Sequence, residues 1–105
     1  MLGNLEQLIL LAILRAGNDA YGVTIAAQIE ERTGRSLTMA TIYKSLERME
    51  EKDLIRSAVG DPTPVRGGKA KRYFQLTPSG RKELVAALDA VRRMTPGLNL
   101  GVELT

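Results

Sequence analysis

Two short runs on either side of a basic, glycine- and proline-rich stretch constrain this chain more than any other feature. "LIRSAV" (54–59) reads as a short strand, and "AKRYFQLT" (70–77) alternates, with Arg72, Phe74 and Leu76 on one side and Lys71, Tyr73 and Gln75 on the other. Between them "GDPTPVRGG" carries three glycines and two X-Pro restrictions, which mark a loop. Together they predict a hairpin with a long tip. It closes on Thr77, a helix-capping residue, with Pro78 in the first turn of the helix it starts.

Helical periodicity occupies the rest. Residues 4–16 place Leu5, Leu8, Ile9, Ala12 and Ile13 on one stripe and Leu10, Leu11 and Leu14 off it, with Asn4 as the expected N-cap and Gly17 as the stop. Apolar residues on more than one face imply burial on two sides. A second helix is expected over roughly 21–33, with Ile25, Ala26 and Ile29 inward and Gly34 closing it. A third starts at Thr38 and runs to about Lys52, with Met39, Ile42, Leu46 and Met49 as its buried stripe. After the hairpin, Leu84, Leu88 and Val91, widened by Val85, stripe a fourth helix that ends at Thr95-Pro96-Gly97. The order helix, helix, helix, strand, basic loop, strand, helix is that of a winged helix-turn-helix. The fold class is mainly α with a small β-hairpin, in one domain of 105 residues.

Several chemistries are excluded. Gly68-Lys69 resembles the end of a phosphate-binding loop, but that motif needs a glycine where Thr63 stands and a hydroxyl residue where Ala70 stands. The chain has no Cys and no His, which removes disulfides, thiolate or imidazole metal sites and every Cys or His mechanism. No acidic loop has calcium-site spacing. No catalytic residue, metal or cofactor is therefore assigned. "MLGNLEQLILLAILR" lacks the basic start and small-residue cleavage site of a signal peptide, with Glu6 where positive charge belongs, and no apolar run reaches membrane-spanning length. A cytoplasmic protein without a membrane partner is expected.

Charge points to the partner. The net charge is only +3, but from Arg56 to Lys82 seven cations (Arg56, Arg66, Lys69, Lys71, Arg72, Arg81, Lys82) face the single acid Asp61. Such a local field suits a polyanion. With its stripe inward, the third helix turns Thr41, Lys44 and Arg48 outward, with Thr38 and Ser45 at the flank, residue types that fit a DNA major groove. Tyr43 stands beside the stripe, where an aromatic is more often half-buried packing than a contact, although its hydroxyl could still reach a phosphate from the helix edge. Arg66, Lys69 and Lys71 on the wing would neutralise the phosphate chain. Glu47, Glu50 and Glu51 must then lie on the other flank or at the far end. They support the alternative of a winged-helix protein-interaction module that binds no DNA.

Four segments in order resemble the PadR family of bacterial transcription regulators. They are "LGNLEQLILLAIL" for its first helix, "AYGVTIAAQIEERTG" for its second, "MATIYKSLERMEEKDLI" for its recognition helix and exit strand, and "GGKAKRYFQLTPSGRKEL" for its wing and last helix. The resemblance covers about residues 2–93. It implies a repressor that binds double-stranded DNA as a homodimer through its first and last helices, with Thr41, Tyr43 and Lys44 facing DNA from the helix and Lys69 and Lys71 from the wing. The expected dimer surface is Leu10, Leu11 and Leu14 with Leu84, Leu88 and Val91. Residues 1–77 would be the DNA-binding unit, 78–95 the dimerisation helix, and 96–105 a tail, disordered or folded back. The family often has glycine where this chain has Ala40, and the single last helix resembles its short subfamily. Relatives there stack flat aromatic drugs on tryptophan, which this chain lacks, so the effector stays unidentified.

Overall fold

The computed structural model describes residues 2–60 and 70–102. Helix α1 (Asn4–Ala16) runs into a single 3-10 turn, Gly17–Asp19, followed by α2 (Gly22–Thr33), α3 (Met39–Glu51), strands β1 (Ile55–Val59) and β2 (Arg72–Leu76), and α4 (Pro78–Met94). The fold is mainly helical with one antiparallel hairpin, in the expected order. The N-cap of α1 is Gly3 rather than Asn4, and the Glu6 carboxylate accepts from the Gly3 N–H at 2.9 Å. Gly34 ends α2 in the left-handed region, φ 76°, where a side chain would be strained.

The hairpin register pairs Ile55 with Leu76, Ser57 with Phe74 and Val59 with Arg72 on one face, and Arg56 with Gln75 and Ala58 with Tyr73 on the other. The first face lies over the helices, with Ile55, Phe74 and Leu76 buried. The far edge of β2 is tied to the chain before α2, since the Phe74 N–H donates to the Ala20 carbonyl at 2.8 Å. Among the described residues the largest fully buried side chains are Ile9, Leu10, Ile25, Ile42, Leu46, Met49 and Ile55.

Leu10, assigned from sequence to a dimer surface, belongs to this core at 0% exposure. Helix α1 is apolar around its girth because it touches α2, α3, α4 and β2 within one protomer. Leu84 is likewise buried, at the base of α4. Leu11 is partly buried beside α2, and Leu14 remains exposed. On α4, beyond Leu84, the apolar side chains Val85, Leu88, Val91 and Met94 are exposed.

Helix α4 is anchored at its start. Its N-cap Thr77 donates a hydrogen bond to the Asp53 carbonyl at 2.6 Å and accepts one from the Gly80 N–H at 3.0 Å. Gly80 is pressed so closely onto the Leu54 carbonyl oxygen that a Cβ there would clash with it. The far end runs free, and the molecule measures 56 × 27 × 21 Å. After α4 the described residues Leu98, Leu100 and Val102 are exposed and do not pack on the core.

Candidate nucleic-acid interface

Helix α3 presents its polar side away from the core. Thr38 caps it, accepting from the Thr41 N–H at 3.1 Å and donating its own hydroxyl proton to the Thr41 oxygen at 2.9 Å. Ile42, Leu46 and Met49 are buried, while Ala40, Lys44, Glu47 and Arg48 are exposed. Lys44 and Arg48 are four residues apart and so stand one turn apart on the outward side. Among the described residues the ion pairs join Lys52 to Glu6 and Arg92 and Arg93 to Asp89, which leaves no described carboxylate against Lys44 or Arg48.

Ser45 does not fit its assignment as a DNA contact. It is buried, at 9% exposure, because its position lies between those of Ile42 and Met49 on the inner side of the helix. Thr38 and Thr41 sit at the amino end, Thr41 half-buried. Tyr43 is 49% exposed, and its phenol lies over Gly22 at the start of α2.

Glu50 takes part in a bridge to the hairpin. Its carboxylate accepts from the Ser57 hydroxyl, at 2.8 and 3.1 Å to its two oxygens, and Ser57 accepts from Arg72 Nη1 at 2.9 Å. One hydroxyl thus links α3 to both strands. Glu47, Glu50, Arg72 and Tyr43 line a groove of about 240 Å³ over Leu46 and Phe74, between α3 and the wing. The two acids therefore occupy the wing-facing flank of α3, on the opposite flank from Thr41 and Arg48.

Of the wing cations, Arg66 and Lys69 lie outside the described residues. Lys71 is half-buried at the loop end of the hairpin, just before β2, its ammonium 4.5 Å from the centre of the Tyr21 ring, a cation–π contact. Tyr21 in turn meets Tyr73 edge-on, with ring centres 5.7 Å apart.

Sequence reasoning missed Tyr21, Gly22, Ser57 and the bridging role of Arg72. The Tyr-Gly pair was visible as the opening of the second helix, but nothing in a linear pattern shows that it meets α3 and β2. Arg72 was placed on the same side of its strand as Phe74 and Leu76, and it is there. Its neighbour on that face, Ser57, follows only from the register.

A helix-turn-helix followed by a two-stranded wing and a further helix defines a winged helix-turn-helix protein. Residues 10–86 match the model of the transcriptional regulator PadR-like family. An uncharacterized protein X from Lysinibacillus sphaericus is 37% identical over 84 residues, 78% of this chain and 72% of that protein. A PadR family transcription regulator from hypervirulent Clostridium difficile R20291 superposes with a TM-score of 0.74 at 33% identity, covering 88% of this chain and 91% of that one. Bacillus subtilis PadR in complex with operator DNA gives a TM-score of 0.68 at 25% identity over 96% of this chain, which spans 53% of that protein. The chain belongs to the PadR-like family, whose members are transcriptional regulators and not enzymes. Among the described residues no group of His, Cys, Asp or Glu side chains could hold a metal ion, and no helix is long and apolar enough to cross a membrane.

Proposed function

We propose that this protein binds double-stranded DNA as a homodimer and represses transcription in the cytoplasm by occupying a near-palindromic operator. The observation that carries this reading is the outward side of α3, where Lys44 and Arg48 face no described carboxylate while Glu50 is engaged by Ser57. The Bacillus subtilis relative captured with operator DNA supports it. Residues 1–77 form the DNA-binding unit, 78–95 the dimerisation helix and 96–105 a tail. Thr41, Lys44 and Arg48 select bases. Tyr43, Arg66, Lys69 and Lys71 hold phosphates.

Two symmetric subunits place their recognition helices one DNA turn apart, so half-site centres fall about 10 base pairs apart or at a multiple of that. Selection of bound sequences from a random duplex pool tests the reading. Lys44→Ala or Arg48→Ala relaxes the preference at one base pair by about 1–3 kcal/mol. If neither variant changes the recovered motif, α3 does not read bases. If the wild-type protein shows no salt-sensitive binding to any duplex, the fold here serves protein interaction instead.

A further inference from the structure

We propose that Gly22 is a positioning residue for DNA binding, acting through Tyr43; the inference rests on the DNA-binding reading above. Gly22 is the first residue of α2, is buried, and is not among the glycines with positive φ, so backbone conformation does not demand a glycine there. Close approach does. A Cβ at this position would lie 2.5 Å from Tyr43 Oη, 2.7 Å from Cζ and 2.8 Å from Met39 Cε, well inside van der Waals contact.

An added methyl group forces one side of this contact to move. The start of α2 cannot, because it is fixed three ways. The Phe74 N–H bonds the Ala20 carbonyl at 2.8 Å, Tyr21 packs edge-on against Tyr73, and the Tyr21 N–H donates to Thr24 Oγ1 at 3.0 Å. The Tyr43 phenol can, being the half-exposed end of a side chain, and Met39 Cε is the tip of a flexible one. Alanine at 22 therefore leaves the fold in place and displaces the phenol.

That phenol occupies the seam between the two helices of the helix-turn-helix, where the first helix crosses the DNA backbone while the second enters the groove. A hydroxyl held there donates to a phosphate irrespective of sequence. With its ring free to swing, Tyr43 no longer presents the hydroxyl in one place, and the ordering cost falls on binding. Gly22 thus acts on affinity, not on base choice.

The experiment is a double-mutant cycle on binding to random duplex DNA, using wild type, Gly22→Ala, Tyr43→Phe, Tyr43→Ala and both double variants, with thermal unfolding recorded for each. Gly22→Ala is expected to weaken binding about tenfold, matching the loss of one charge-assisted hydrogen bond. In either Tyr43 background the same substitution is expected to change affinity less than about twofold, because the contact it acts through is already gone. Equal losses in all backgrounds, or no loss in the wild-type background, would overturn the inference. A purely structural glycine would lower the unfolding temperature without this dependence on Tyr43. A Gly22→Ala variant that fails to fold while Gly22→Ala with Tyr43→Ala folds would also overturn the inference, because the phenol would then not yield and the glycine would be purely structural. Wild-type protein that binds no duplex would remove the DNA reading and this inference together. Wild-type protein that binds with an additive cycle would remove only this inference.

Discussion

Helices α3 and α4 start alike and end differently. Both are capped by a threonine whose hydroxyl accepts from a backbone N–H three residues on. Thirteen residues of α3 bury Ile42, Ser45, Leu46 and Met49, whereas seventeen of α4 bury only Gly80 and Leu84. What each leaves outside is of opposite character. Helix α3 exposes Lys44, Glu47 and Arg48, which water or a polyanion can satisfy. Helix α4 exposes Val85 at 65%, Val91 at 60% and Met94 at 76%, along with Leu88. Exposed apolar side chains grouped on one element are the kind of surface that marks protein contacts in general. Among the described residues α3 is covered along its apolar side, and the cover of α4 is incomplete.

The largest effect should come from breaking that incompleteness. Leu88→Glu places a charge on the stripe, and in a dimer that buries it unpaired the cost is about 3–5 kcal/mol. The expected outcome is loss of dimer in sedimentation at micromolar concentration, with the helical content of α1 to α3 retained. A variant that remains dimeric would show that α4 is not the contact.

The two caps separate next. Thr77 is buried and holds Asp53 across 24 residues, so it ties α4 to the turn after α3 as well as starting the helix. Thr77→Ala removes the cap and leaves the Asp53 carbonyl without that donor, a loss of about 2 kcal/mol. Chemical denaturation should report it as a lower midpoint with an unchanged slope. A loss no greater than that of an exposed cap would mean that the bond to Asp53 contributes nothing net.

The sequence was most legible where local physics decides. Thr38, Thr77, Pro78, Gly17 and Gly34 set helix ends that rest on residues a few positions apart, and the alternation of 70–77 set the strand face. It was less legible where several elements meet. Leu10 lies off the stripe of a single-faced helix, and only the enclosure of α1 by four other elements makes its direction inward. Ser45 fell on the wrong side for a related reason: a small polar residue at a buried helical position looks like a surface residue in the sequence. Gly22 and Ser57 act through contacts set by tertiary register, which no spacing along the chain encodes. The apolar stripe of α4 was readable in part, because Leu88 and Val91 recur at helical spacing, and both are exposed.

The smallest expected effect distinguishes capping from DNA contact at the start of α3. Thr38 has one hydroxyl proton and gives it to Thr41, while its oxygen accepts the Thr41 N–H. Its one proton and one of its two lone pairs are thus committed inside the protein. Thr41 accepts from Thr38, so its own proton is free to donate outward to a base or phosphate. Thr38→Ala should therefore cost about 1 kcal/mol of stability, a fall of about 5 °C in unfolding temperature for a chain of this size. Thr38→Ser, which keeps the oxygen, should recover most of it. Affinity for DNA should change little once both variants are measured well below their unfolding temperatures. Thr41→Val should do the reverse, leaving stability nearly intact and weakening binding, because the Thr41 N–H still meets the Thr38 oxygen. If Thr38→Ala instead weakens DNA binding as much as Thr41→Val while leaving stability untouched, then Thr38 contacts the DNA and the bond between the two hydroxyls does not persist in the complex.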